Sequence, residues 1–452
     1  MDRAYNGGMT QTSGSSVTVT TPAELADALD ADASDIVVQG TISGSPSITL
    51  PEGATLRGGE LAFLGKGVRL TRDNTLRDIT ITTMPHEVAV YNDTSVPDAG
   101  TFRFENVSTV GQVYLVAEAH TTSVRVETMG LHVKEADVRG RVEQPHGYGV
   151  DVLQGGLTLW NRQPDASARF TATLRDVSVG TEQTPVRGSG VFVAGYGDRE
   201  GKAAGGLFEA DLIETGAVVT DGGIAPGTPD KITGGVFVVS GAKVEKVLNA
   251  GAVTTHGQND MVLDNWGDVD QWVATAQVTS TGPSGIGFVN FGDIGTLDVQ
   301  APIVTTGAGA RGFNLYDGTL KDAAFHSIRT TGDGSIGVQV SKPLGALTVH
   351  HDVETTGGEG MSLVKGVQMT LKAIAFSVKE GGTVGSVTIG GAMRTRGDDV
   401  VTFEVADGGS IEELTVGGGI AAQGAGSRAV RLEGTVPSLD GIAVTDGAGG
   451  AH

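Results

Sequence analysis

The sequence predicts an all-β chain wound as a parallel β-helix with three sheets, and three observations carry that prediction. Glycines recur at Gly257, Gly282, Gly307, Gly332 and Gly357, each 25 residues after the last. Ahead of them, Val244, Val269, Ile294, Leu320 and Leu344 keep nearly the same spacing. Between these markers the apolar residues alternate with period 2 and are rich in Val, Ile and Thr, where a helix would need period 3.6. A fixed period with three strand-like pieces is one turn of a solenoid. Right-handed winding is expected, because parallel crossovers nearly always take that hand.

Composition narrows the partners. The 452 residues suit one long solenoid, and 71 glycines with few aromatics suit tight corners around a narrow aliphatic core. With 31 basic and 53 acidic residues the net charge is −22, which repels nucleic acid and anionic membrane and disfavours a polyanionic substrate. There is no Cys, so disulfides, zinc thiolates and a cysteine nucleophile are excluded. No run of 18 apolar residues offers a membrane span. The opening MDRAYNGGMTQTSGSS lacks the apolar segment of a signal peptide. A secreted or cell-surface location is expected, with the cytoplasm left open.

Taken in order, residues 1–16 read as a flexible polar segment and 17–452 as one domain. Within it lie an N-terminal cap (17–40), irregular rungs (41–243), regular rungs (244–435) and a Gly-rich end (436–452). Thr21-Pro22-Ala23-Glu24 is a helix start, with Thr at the N-cap, Pro at the first helical position and Glu closing a capping box. Leu25, Ala28 and Leu29 share one face of that helix, which suits a plug over the open end of the solenoid. Residues 110–116, 149–153, 190–194 and 235–239 each read as the short strand after a glycine corner. Longer inserts fall at 160–169 and 196–208, and a 15-residue insertion at 367–381 precedes resumption of the register at Val384. At about 4.8 Å per rung, roughly 16 rungs make a rod of about 75 Å.

The period lets the outer surface be read by columns. Leu263, Phe288, Phe313, Val338 and Leu363 should point inward, so the residues one further on point outward: Asp151, Phe192, Phe237, Asp264, Val289, Asn314, Gln339, Val364 and Glu404. Two beyond those stand Leu153, Ala194, Val239, Trp266, Phe291, Tyr316 and Ser341, so Trp266, Phe291 and Tyr316 should form an exposed aromatic ladder. Flanked by Asn314 and Gln339, the ladder suits a sugar-binding groove: flat rings cover the apolar faces of a sugar and amides bind its hydroxyls. It equally suits a subunit interface or packing beneath a loop. Asp264 with Asp268, or Asp264 with Asp317 two rungs away, would supply the carboxyl pair that glycosidic hydrolysis needs. Asp at a β-corner also caps turns. His326 and His350 fall on neighbouring rungs with no third ligand at their height, so no metal or cofactor is expected. Arg329 and Glu354 stack as an exposed ion pair.

Two resemblances follow from these residues. The passages Ile36-Val37-Val38-Gln39-Gly40-Thr41-Ile42, Ile48-Thr49-Leu50-Pro51 and Thr55-Leu56-Arg57-Gly58-Gly59, after a capping helix, resemble the opening of the pectate-lyase-like β-helix superfamily. That likeness spans about residues 18–82; the Asp-rich calcium cluster of the pectate lyases has no counterpart here, and no motif receives their catalytic Arg. The regular repeats, such as Ile303-Val304-Thr305-Thr306-Gly307, are similar to those of bacterial autotransporter passengers and adhesins. The first resemblance implies a carbohydrate-active enzyme (hydrolase, lyase or intramolecular glycosyl transferase), here on a neutral oligo- or polysaccharide. The second implies a non-catalytic adhesin-like or phage-tail-like rod binding a surface glycan. Either permits a homo-oligomer, a trimer above all.

Overall fold

A computed structural model describes residues 16–364 and 367–449. Its strands stack in parallel, rung upon rung, into two long sheets, and the larger sheet carries two adjoining faces in the regular region. One rung there runs Asp268–Ala274, Val278–Ser280 and Ile286–Asn290; the next runs Asp293–Val299, Ile303–Thr305 and Arg311–Leu315. Val244, Val269, Ile294, Leu320, Leu344 and Val384 lie in direct register from rung to rung, as their spacing predicts. One aliphatic and phenylalanine core follows the stack from Val19 to Ala429.

The N-terminal cap forms as the sequence indicates. Helix Pro22–Asp30 starts at Thr21, whose hydroxyl accepts from the Glu24 N–H, and buries Leu25 and Ala28. The Glu24 carboxylate reaches back to the N–H and hydroxyl of Thr20, one residue before the N-cap. Among the described residues no helix is long and apolar enough to cross a membrane.

The corner glycines are required by closeness rather than by backbone twist. A Cβ built on Gly282 would run into the carbonyl oxygen of Gly257; Gly307 stands in the same relation to Gly282, Gly332 to Gly307, and Gly357 to Gly332. The backbone of each rung therefore rests on the backbone of the one before it, leaving no room for a side chain.

Two insertions displace the expected register. Residues 149–153 are not a rung strand: Val150–Val152 belongs to a side hairpin with His146–Gly147, and the rung is completed by Gly155–Asn161. Thr158 and Trp160 thereby take the outward places expected of Asp151 and Leu153, and Trp160 lies on a rung rather than in an insert. The second insertion is the antiparallel hairpin Glu359–Val364 with Val367–Lys372, so the stack resumes at Ile374 and not after residue 381. Phe376 and Ser377 occupy the places expected of Leu363 and Val364. Hairpins are low-cost local excursions, and the sequence pattern alone does not say which of two strand-like runs rejoins the stack.

Two charge clusters exceed their expected weight. Glu354 pairs with Arg329 at 4.0 Å, but also with Arg394 at 3.5 Å and Arg396 at 3.2 Å, and it is largely buried among them. His326 meets His351 rather than His350, with ring centroids 4.4 Å apart. No group of three or more metal-ligating side chains occurs among the described residues.

Two predictions test this account of the stack. Gly307→Ala should lower the urea midpoint, costing at least about 2 kcal/mol, while Gly65→Ala, with open space around its Cβ, should leave it unchanged. Equal midpoints would refute the close-contact argument. Glu404 is buried yet its carboxyl is held down at about 2 by Lys379, Arg431 and Ser377, which outweigh the upward push of burial. A lowered carboxyl stabilises above its unfolded value of 4.5 and loses that contribution as pH falls toward 2. Glu404→Gln should therefore destabilise by roughly 2 kcal/mol at pH 7, with the gap closing near pH 2. A gap independent of pH would refute it.

Candidate functional site

The outer face of the sheet containing Asp260–Asn265, Ile286–Asn290 and Arg311–Leu315 is covered rather than bare. A second apolar cluster lies on it, built from Trp160, Phe192, Phe237, Trp266, Ile286 and Val289 among others. The expected columns are present. Phe192, Phe237, Asp264, Val289, Asn314 and Gln339 succeed one another in direct register. Phe291 and Tyr316 stack with centroids 4.8 Å apart, and Trp266 meets Phe291 edge-on at 5.9 Å.

The ladder is not exposed, however. Trp266 is 4 % accessible, and Phe291 and Tyr316 are half-buried. The cover is the strap carrying the hairpin His146–Gly147 and Val150–Val152, which pairs with Lys231 and Ile232 at the sheet edge. Its tip, Tyr148, sits in the left-handed region at φ 52° and lays its ring edge-on to Trp266 at 5.0 Å and against Phe291 at 4.7 Å. Gly147 and Gly201 leave it room: a Cβ on the first would strike the Trp266 ring, and one on the second the Tyr148 ring. The Tyr148 hydroxyl donates to the Phe291 carbonyl at 3.2 Å, and Lys202 donates to that hydroxyl at 3.3 Å.

Between strap and sheet a cavity of about 420 Å³ remains, of the size that holds small ligands. Tyr148, Trp266, Phe291 and Tyr316 line it together with Asp264, Arg311, Asp317 and Lys342. Four of the expected site residues of the ladder and carboxyl pair (Trp266, Phe291, Tyr316 and Asp264) thus meet there, and Asp317 joins them. Asp268 does not: it is exposed on a neighbouring face, in a separate depression with Asp270 and Lys243. The strand that Asp268 opens turns away from the face bearing Asp264, so those two carboxyls are not a pair. Asn314 is fully buried beside the cavity, and Gln339 donates to Ser341 at 3.3 Å outside it.

The polar groups here are unusually short of partners. Both Asp264 oxygens, Trp266 Nε1, Arg311 Nε and both side-chain amide atoms of Asn314 are buried without a hydrogen bond. Such groups are normally satisfied, because an unpaired buried polar atom costs about 1–3 kcal/mol. Burial pushes the Asp264 carboxyl well above the usual carboxylate range; the Trp266 indole N–H lies near enough to offset part of that, but outside hydrogen-bond geometry. Asp317 goes the other way: burial raises it, but the Gly318 N–H and Lys342, at 3.2 Å, hold it below its ordinary value. Two carboxyls on one cavity are thus pushed toward opposite protonation states. Asp260, by contrast, is a structural brace, raised to about 7 by burial and held by Thr220 at 2.7 Å and Thr233 at 2.9 Å.

Tyr148 and Arg311 are the residues that the repeat reading missed. Tyr148 comes from an insertion and so carries no rung signal. Arg311 did carry one, as a charge flanked in its register column by Ile286 on one side and Ile336, Ile374 and Val401 on the other, before Arg428 near the end of the stack. No family model, curated protein or solved structure matches the chain, so the site rests on its own geometry.

The unpartnered carboxyl gives a signed prediction. An acid raised in the folded state binds more protons folded than unfolded, so its cost grows as pH rises above the unfolded value of 3.8. Asp264→Asn should melt higher than the wild type at pH 7.5, and the difference should vanish near pH 4. A lower melting point at pH 7.5 would mean that Asp264 stabilises the fold.

Proposed function

We propose that the protein is a carbohydrate-active enzyme whose active site is the cavity beneath the Tyr148 strap. The observation that supports this most is the gathering, on one aromatic-walled cavity, of a carboxyl pushed toward its protonated form and a carboxyl held toward its ionised form. That division is what acid and base roles in glycosidic cleavage require. Asp264 would protonate the leaving oxygen, while Asp317, oriented by Lys342, would act on the opposite side as base or nucleophile. They stand two rungs apart, about 9–10 Å along the stack at the usual strand spacing. Trp266, Phe291 and Tyr316 would face the sugar ring, and its hydroxyls would supply the hydrogen bonds that Trp266 Nε1 lacks. The strap shifts in this reading, since the Asp264 oxygens meet a substrate only when Tyr148 yields.

The fold in this reading is a right-handed parallel β-helix of the pectate-lyase-like superfamily, which accords with the capping helix and parallel rungs. In the same reading the protein is a homo-oligomer that acts outside the cell. A non-catalytic glycan-binding rod is the second reading, favoured by the sealed state of the Asp264 oxygens.

A glycan panel with product mass spectrometry tests the proposal. Wild type should yield new products, and Asp264→Asn and Asp317→Asn should each cut kcat/KM at least about 100-fold. A gain of water would mark hydrolysis; an anhydro or unsaturated product would mark transfer or elimination. Binding without turnover, unaffected by either variant, would move the protein to the second reading.

A further inference from the structure

Arg311 is the anomaly of the cavity. It occupies an apolar column between Ile286 and Ile336, is 5 % accessible, and its Nε has no partner. No carboxylate among the described residues pairs with it. Asp264 is no counter-ion either, since burial and the Trp266 indole are what act on it, and burial and Tyr316 are what act on Arg311. The other two charged residues of the wall, Asp317 and Lys342, neutralise each other. The cavity wall therefore gives Arg311 no ionic partner, inside a chain of net charge −22.

A buried guanidinium without a counter-ion is strongly destabilising, and an isoleucine in its column would fill the space without that cost. The distant surface carboxylates do not repay it, because charges more than about 8 Å away across solvent are largely screened at physiological salt. Guanidinium is the side chain best shaped to take a carboxylate or phosphate through two parallel hydrogen bonds. We propose that Arg311 is an anion subsite: the sugar taken by this cavity carries one negative group, which supplies the counter-ion that the guanidinium lacks. The inference rests on the reading of the cavity as a sugar site, and it replaces the neutral substrate expected from net charge. Net charge governs approach from a distance; the fixed charge at the wall governs what is held.

Calorimetric titration with glucose, glucuronate and glucose 6-phosphate tests it on the whole chain. Wild type should bind at least one acidic sugar about 10- to 100-fold more tightly than glucose, the gain of a charge-assisted pair. Which acidic sugar wins distinguishes a carboxylate from a phosphate ester. Arg311→Met should abolish the preference while melting no lower than wild type, because it removes an unpaired buried charge. Should that variant fail to fold, Arg311→Lys, which keeps the charge and loses the fork, should weaken the preference at least about threefold. Equal affinity for glucose and the acidic sugars, or a preference untouched in both variants, would overturn the inference and leave the sugar reading standing. Inorganic phosphate that raises the melting point of wild type but not of Arg311→Met, with no sugar bound, would uphold the anion subsite and sink the sugar reading.

Discussion

Everything in this chain depends on how closely one rung approaches the next at the glycine corner. Where Gly307 lies over the carbonyl of Gly282, and Gly282 over that of Gly257, a methyl group has no room. That contact fixes the repeat length, and the repeat length fixes which residues share a column. Parallel pairing then carries each column along the stack without slippage, because a one-residue shift would turn the aliphatic core outward. The columns in turn set what a side chain meets: a like residue one rung away.

The cavity is a consequence of interrupting that regularity. Stacked aromatics on an open sheet face would present an apolar stripe to water, and the strap removes it by laying Tyr148 over Trp266 and Phe291. Beneath that cover, around Asp264 and Arg311, polar groups are left buried without partners. Elsewhere on the same sheet the chain satisfies such groups readily. Asn265 donates to Asn290 at 2.9 Å, and Glu404, in the same outward column as Asp264, holds Lys379, Arg431 and Ser377. On this sheet the deficit gathers at the cavity; the other unpartnered buried atoms, the hydroxyls of Ser280, Thr305, Thr330 and Thr355 and the Arg72 Nε, lie off it.

Much of this was legible in the sequence because a period converts position into geometry. The ladder of Trp266, Phe291 and Tyr316 and the column of Asp264, Val289, Asn314 and Gln339 follow from counting by 25, and both stand in the structure. What failed is what a period cannot carry. Residues 149–153 resemble a rung strand in composition, yet they form the strap, so Tyr148 was unseen, and of the three alternatives for the ladder the structure takes packing beneath a loop. The exposed groove became a closed cavity for that reason alone. Asp268 was misjudged on a different ground: four residues from Asp264 in sequence, it opens the strand on the next face, beyond the corner. Arg311 was legible but unread, since a charge set between apolar neighbours in its column is a signal only once the columns are compared.

The central claim is that the unpartnered groups beneath the Tyr148 strap await a ligand. A crystal structure after soaking with glucose, glucuronate and glucose 6-phosphate tests it most directly. The account requires a sugar in the cavity with its ring against Trp266 or Phe291, its acidic group on Arg311 and a hydroxyl or ring oxygen on Asp264. A cavity holding only water, with Tyr148 unmoved and every sugar bound elsewhere on the stack, would contradict it.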